Sequence, residues 1–177
     1  MKYKLTDETI LYNNTKLYRI EALKDFSDIK TGDKGGFVES ENNLSHEGYC
    51  WIYDNAKVYD NAIIQDNALI YDNTEVYDTA MICGDSNIHD NVKIYGDSFI
   101  GDQVEVFGNV EIHGNTSLHD NVHVSGFTDI CGDVEAYGNV KLNFNKHFII
   151  KGDVIIYNES NDDNVICDKI SYNCDIN

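Results

Sequence analysis

From residue 53 to residue 148 the chain divides into sixteen blocks of six without an insertion or a deletion. A fixed short period of this kind constrains the fold more than any other signal in the sequence. The run opens YDNAKV, YDNAII, QDNALI, YDNTEV and closes CGDVEA, YGNVKL, NFNKHF. With the positions numbered one to six, position six is apolar throughout, from Val58, Ile64 and Ile70 to Leu142 and Phe148. Position four is small or β-branched, as in Ala56, Thr74, Ser86, Val92 and Val140, and departs from that rule only at Lys146. Positions four and six are two apart, so they leave an extended strand on the same side, and position five leaves on the other. Positions two and three are mostly Asp-Asn, Gly-Asp or Gly-Asn, residues that tolerate positive φ and turn a chain. Each block therefore reads as a short strand and a corner. A six-residue period cannot keep one face of a 3.6-residue helix in register. The expectation is an all-β chain wound into a parallel β-solenoid.

An aliphatic residue followed by x-Gly/Asp-Asn-Ala/Val-x resembles the hexapeptide repeat of left-handed parallel β-helices. The resemblance implies a triangular coil of three blocks, ~18 residues, and a left hand where the general crossover preference is right. It covers residues 53–148 and, less regularly, 35–52. It specifies a fold rather than a chemistry, since such helices include acyltransferases, carbonic anhydrases and proteins without catalytic activity. A second stretch, GGFVESENNLSHEGYCWIYDNAKVYDNA with LYRIEAL shortly before it, resembles hexapeptide-repeat proteins encoded by phages and prophages.

The ends are less regular. Residues 1–34 carry no repeat, but ILY at 10–12 and KLYRIEA at 16–22 alternate like strands around Asn13-Asn14 and predict a β-hairpin. A solenoid end exposes apolar side chains and unpaired strand edges, so this hairpin is expected to be the N-terminal cap. The β-helix itself is expected over 35–156. Extending the frame backward puts Val38, Leu44 and Cys50 on position four and Ile52 on position six, with Ser40 and His46 interrupting. After Lys146 the frame slips by two, and KGDVII at 151–156 resumes it with Val154 and Ile156 inward. Residues 157–177 form the C-terminal segment, with a polar loop at 157–164, a closing strand at 165–170 and a frayed end.

Net charge is −18, from 31 acidic residues against 13 Lys plus Arg. Such a chain is not expected to bind a nucleic-acid backbone or an anionic membrane directly. No apolar run has the length of a membrane span, and MKYKLTDETI lacks the apolar core of a signal peptide. The five cysteines form no CxxC pair, which fits a reduced, cytoplasmic protein in a bacterial host.

With three blocks per coil, outward residues of every third block form columns. Ile63, Met81 and Phe99 fall in one such column, with Tyr59, Tyr77 and Tyr95 at position one beside them. This apolar strip is the expected interface, either for a homo-oligomer, dimer or trimer, or for a partner protein. Position two carries Asp54, Asp60, Asp66, Asp72, Asp78 and Asp90. Along the repeat run this amounts to roughly one acid per 1.6 Å of axis, close to the ~1.7 Å per charge of duplex DNA. Two readings stand side by side: turn chemistry, or a DNA-like surface presented to a host nucleic-acid-binding protein.

Resemblance to the acyltransferases would imply a histidine base beside a loop that leaves the coil, but the sixteen blocks contain no such loop. The histidines are His46, His89, His113, His119, His123 and His147. Three of them, His89, His113 and His119, occupy position one, where Tyr otherwise recurs, and read as corner residues. No third zinc ligand joins His119 and His123, and no phosphate loop or serine elbow is visible. The expectation from sequence is a non-enzymatic acidic binding protein of phage or prophage origin, inhibiting a host nucleic-acid-binding or defence protein. It assigns no catalytic residue, metal or cofactor. The alternatives are a hexapeptide-class acyltransferase and a structural solenoid.

Overall fold

Position two of the repeat has positive φ in every regular block from Asp54 to Gly138, and the residue there is always Asp or Gly. That conformation costs most side-chain-bearing residues ~1–2 kcal/mol, and Asp is among the few that visit it routinely. The Asp side chains also close hydrogen bonds between coils. The Oδ2 atoms of Asp66, Asp72, Asp78 and Asp90 accept the backbone N–H of Gly84, Asp90, Gly96 and Gly108, at 2.9–3.2 Å. Position three adds side-chain ladders, such as Asn67 to Asp85 and Asn121 to Asn139.

The computed structural model, which describes residues 1–158 and 169–173, is a parallel β-solenoid of about seven turns. Lys57, Glu75, Lys93, Glu111 and Asp129 pair in succession along a first face. Ile63, Met81, Phe99, Ser117 and Glu135 do so along a second. Trp51, Leu69, Asn87, Glu105, His123 and Lys141 form the third. Each step from Lys57, Ile63 or Leu69 onward is one 18-residue coil. Inside, position six is closed to solvent from Val58 through Leu142, and position four from Ala56 through Val140. The core is one continuous apolar column, with small polar hydroxyls at Thr74, Ser86, Ser98 and Thr116.

Both ends of the frame differ from expectation. Val38 pairs with Val58, and Leu44 bridges to Ile64, so both occupy position six rather than four. Two extra residues lie in the block 45–52, where Gly48 turns at φ 64° and Tyr49 stands 58% exposed. At the other end Thr128 pairs with Phe148 and Ile130 with Ile150. The unbroken run therefore stops at Leu142, and 143–150 is a second block of eight. Phe148 takes position four on the first face, where it is 43% exposed and stacks on Phe144 at 4.1 Å. Val154 and Ile156 are inward, as the resumed frame requires. A strand at Lys169–Asn173 pairs antiparallel with Asp153–Tyr157, so strand pairing extends three residues past the expected closing strand. Tyr157 and Asn158, expected to open the polar loop, still pair with Tyr137 and Gly138; the rest of that loop, from 159, and the expected closing strand up to 168 lie outside the described residues.

At the N-terminus β1 (Tyr3–Tyr12) and β2 (Thr15–Ala22) form an antiparallel hairpin, turning at Asn13 and Asn14, both with positive φ. β2 pairs antiparallel with β3 (Lys34–Val38), which joins the first coil by pairing with Lys57–Val58. Tyr3, Ile20 and Ala22 enter the main core beside Phe26 and Trp51. The Tyr3 hydroxyl donates to the Leu44 carbonyl at 2.7 Å. Lys2, almost wholly buried, donates from Nζ to the Cys50 carbonyl at 2.9 Å and to Cys50 Sγ at 3.1 Å. A second cluster joins Leu17 and Phe37 to Tyr59, with Tyr12 and Tyr77 against it.

Two measurements follow from this packing. Ile94 is 0% exposed and neighbouring Lys93 faces out. Ile94→Ala should cost ~2–5 kcal/mol in denaturant unfolding, while Lys93→Ala should be nearly silent; equal losses would contradict the inward register. The tyrosines supply the second. The bond from Tyr12 to Glu75 at 2.7 Å, and then burial, pushes the Tyr12 pKa up to about 12. Burial does the same for Tyr59, to about 12, and raises Tyr3, Tyr53, Tyr77 and Tyr95. An unfolded tyrosine ionises near ~10. A folded pKa above the unfolded one contributes stability that is whole below pH ~10 and lost as pH climbs through the folded value. Alkaline titration should show phenolate absorbance rising together with loss of the β-sheet signal. Ionisation of all twelve tyrosines near pH ~10 with the sheet intact would contradict the packing.

Candidate active site

The two eight-residue blocks sit at opposite ends of the third face. The first, 45–52, leads into that face at Trp51–Ile52; the second, 143–150, leaves it after Leu142. Each forms one wall of a cleft. Near the N-terminal end a cleft of about 460 Å³ is lined by Tyr49, Ser27, Asn67, Leu69 and Asp85. Ser27 belongs to the connection between β2 and β3 and has φ 47°. Near the C-terminal end a cleft of about 300 Å³ is lined by Glu105, Phe107, His123, Ser125, Lys141 and Asn143. Asn87 lies between them in the same column, and its Oδ1 is buried without a hydrogen-bond partner.

The second cleft holds a histidine–carboxylate pair. Coil stacking sets His123 directly on Glu105, and His123 Nδ1 lies 2.8 Å from Glu105 Oε2. Each side chain is about one-third exposed. The other carboxylate oxygen, Oε1, lies 3.9 Å from His89 Nε2, and the His89 ring stacks on Phe107 at 5.0 Å. A carboxylate on Nδ1 fixes a neutral imidazole in the tautomer that leaves Nε2 free to accept a proton. This is the arrangement required of a general base.

The remaining histidines are otherwise engaged. His46 Nδ1 accepts the Lys2 backbone N–H at 3.2 Å, its ring lies 4.4 Å from that of Tyr3, and burial holds its pKa below the ordinary histidine range. His113 stacks on Tyr95 and His119 on Tyr137, so all three position-one histidines lie in aromatic corner columns. His147 lies against Phe127. The period is broken at 45–52 and at 143–150, and the second break begins with the last of the sixteen blocks, which therefore do contain an excursion. His123 and Glu105 are one coil apart, so coil arithmetic on the sequence was enough to pair them.

The expected apolar strip is split. Ile63, Met81 and Phe99 do form one outward column. Tyr59, Tyr77 and Tyr95 stack in another, at 5.1 and 4.7 Å. Tyr95 donates to Glu111 on the first face, while the Phe99 ring lies towards Gly101 and Cys83. The two columns thus lean to opposite sides of the strand, and Tyr59 is only 5% exposed beneath the hairpin. The acidic set has a structural role. Asp54, Asp60, Asp66, Asp72, Asp78 and Asp90 all turn corners at positive φ, and the last five also hold the coil above through a backbone N–H. No helix among the described residues is long and apolar enough to cross a membrane.

No family model matches the chain. A stretch of 65 residues is 35% identical to an uncharacterised acetyltransferase, YdcK, of Escherichia coli (strain K12). The match covers 32% of this chain and 20% of that protein, so it spans about a fifth of the relative's length. Together with the solenoid it fits the hexapeptide-repeat β-helix superfamily. It also corrects the expectation that the chain is not an enzyme, because the similarity falls on a protein named as an acetyltransferase.

Met81 lies outward and half-buried, outside the core column. Met81→Asp should keep the circular dichroism and melting temperature near wild type, and light scattering on both proteins reads whether the column associates. Unfolding by this substitution would place the column inside the fold.

Proposed function

We propose that the protein is an acyltransferase of the hexapeptide-repeat class, with His123 as general base and Glu105 as the residue that positions it. The observation that carries this reading is the 2.8 Å contact between His123 Nδ1 and Glu105 Oε2 in a cleft beside the second eight-residue block. The match to an acetyltransferase supports it.

In this reading a thioester donor lies along the third face, its acyl end at His123. Nε2 takes the proton from an acceptor hydroxyl or amine as that group attacks the thioester carbonyl. The carbon–oxygen or carbon–nitrogen bond forms, the carbon–sulfur bond breaks, and the imidazolium returns the proton to the departing thiolate. Glu105 stabilises the imidazolium between those steps. The N-terminal cleft at Tyr49 and Leu69 lies three coils away, at ~4.8 Å per coil, and would take the remote part of a long donor.

An acidic, phage- or prophage-encoded inhibitor of a host nucleic-acid-binding or defence protein is the second reading. It draws on the net charge of −18, and it has less behind it because the corner aspartates already serve the turns.

The test is thiol release from acyl-coenzyme A donors against a panel of amine and hydroxyl acceptors. Wild type should show acceptor-dependent release, His123→Asn should lose ~10²–10⁴-fold in kcat, and Glu105→Gln should lower kcat more than it raises KM for the donor. Absence of acceptor-dependent release across the panel, or full activity in His123→Asn, would overturn the assignment.

A further inference from the structure

Where the first face meets the next corner, a second group of side chains is brought together that the acyl-transfer reading does not use. Coil stacking pairs His113 with Cys131, and Glu111 with Asp129, so His113, Asp129 and Cys131 meet across two adjacent coils. One nitrogen of His113, one carboxylate oxygen of Asp129 and Cys131 Sγ all lie within 4.8 Å of one another. His113 Nε2 is 3.2 Å from Asp129 Oδ1, yet that oxygen is buried and makes no hydrogen bond. A buried carboxylate oxygen without a donor is costly, and a cation between the three side chains would satisfy it.

Two other groups of similar composition make the contrast. Asp72, His89 and Asp90 meet at one corner, and Asp102, His119 and Asp120 at another. Both lack sulfur. In each, both aspartates are already spent on the coil ladder: Asp72 and Asp90 accept from Asp90 N and Gly108 N, and Asp102 and Asp120 from Asp120 N and Gly138 N, at 2.9–3.0 Å. Among the described residues, only the His113 group combines an imidazole, a thiol and a buried carboxylate oxygen that makes no hydrogen bond.

We propose that His113, Asp129 and Cys131 form a binding site for a borderline-soft divalent cation, of which Zn²⁺ is the best fit. Nitrogen, sulfur and carboxylate ligands are the set tetrahedral zinc takes. Its bond lengths place ligand atoms ~3.4–3.6 Å apart, so the site closes with shifts of about 1 Å. Cys131 gives up its proton to solvent on binding, and the thiolate and carboxylate together neutralise the ion. Stacking of His113 on Tyr95, with the rings parallel at 4.7 Å, fixes the imidazole plane. Tyr95 in turn donates to Glu111 at 2.7 Å, so an outer layer of support is in place. Three protein ligands leave the fourth position to water.

Cobalt(II) reports on the site directly, because a thiolate ligand gives a charge-transfer band in the near ultraviolet. Titration of the full chain should produce that band. Cys131→Ser should abolish it, and His113→Gln and Asp129→Asn should each weaken binding by at least ~10-fold. His89→Asn, at a sulfur-free corner, should bind as wild type does. Zinc should raise the melting temperature of wild type and of His89→Asn but not of Cys131→Ser. Should Cys131→Ser fail to fold, His113→Gln carries the same comparison. No band in wild type, an undiminished band in Cys131→Ser, or equal zinc stabilisation of wild type and His113→Gln would overturn the site. None of these readouts depends on acyl transfer.

Discussion

At position two of each block the backbone enters a conformation open to Gly and, at modest cost, to Asp. The chain meets that requirement every six residues from Asp54 to Gly138, and the rest of the molecule depends on it. A corner at that interval leaves room for a short strand with two inward positions. Three corners bring the chain back over itself, so residue n lands on residue n + 18. The inward positions then fuse into one core, and the outward ones line up as columns. Asp recurs at the corner, in addition to Gly, because its carboxylate also accepts a backbone N–H from the coil above. Much of the acidity of the repeat region is explained locally, before any partner is invoked.

The two clefts of the third face lie where the regular period is broken. The blocks 45–52 and 143–150 each carry two extra residues, and both breaks border the third face. Tyr49 and Asn143 line clefts there, and the column between them carries Asn87, Glu105 and His123. Stacking makes a histidine–carboxylate pair out of residues one coil apart without any special loop. The same stacking assembles His113, Asp129 and Cys131 on the first face. Both proposed sites are products of column arithmetic on a fold whose local geometry is nearly constant.

The inward positions from Ala56 to Leu142 were legible in the sequence, because burial and small-residue spacing leave a strong periodic trace. So were the hairpin at Asn13-Asn14 and the return of Val154 and Ile156 to the core. The end frames were less legible. Val38 and Leu44 are apolar at either of two inward positions, so composition does not tell four from six; only pairing with Val58 and Ile64 does. Phe148 satisfied the apolar rule while belonging to a longer block. The tilt of the tyrosine rings towards the first face depends on Glu111 and the hairpin, neighbours that no six-residue window contains. The His123–Glu105 pair was within reach, since its signal is a spacing of one coil between two position-five residues.

The central claim is that the coil, and not the block alone, is the unit of this fold. Excision of residues 83–100 joins Ile82 to Gly101 and removes one coil while keeping every remaining residue on its face. The account predicts a shorter protein with the β-sheet circular dichroism of the parent and a cooperative melt. Removal of 83–94 instead deletes two whole blocks, keeps the six-residue frame but moves every later residue to another face, and should unfold the chain around the junction. If the two deletions behave alike, both folded or both unfolded, stacking at the coil interval does not hold the structure together.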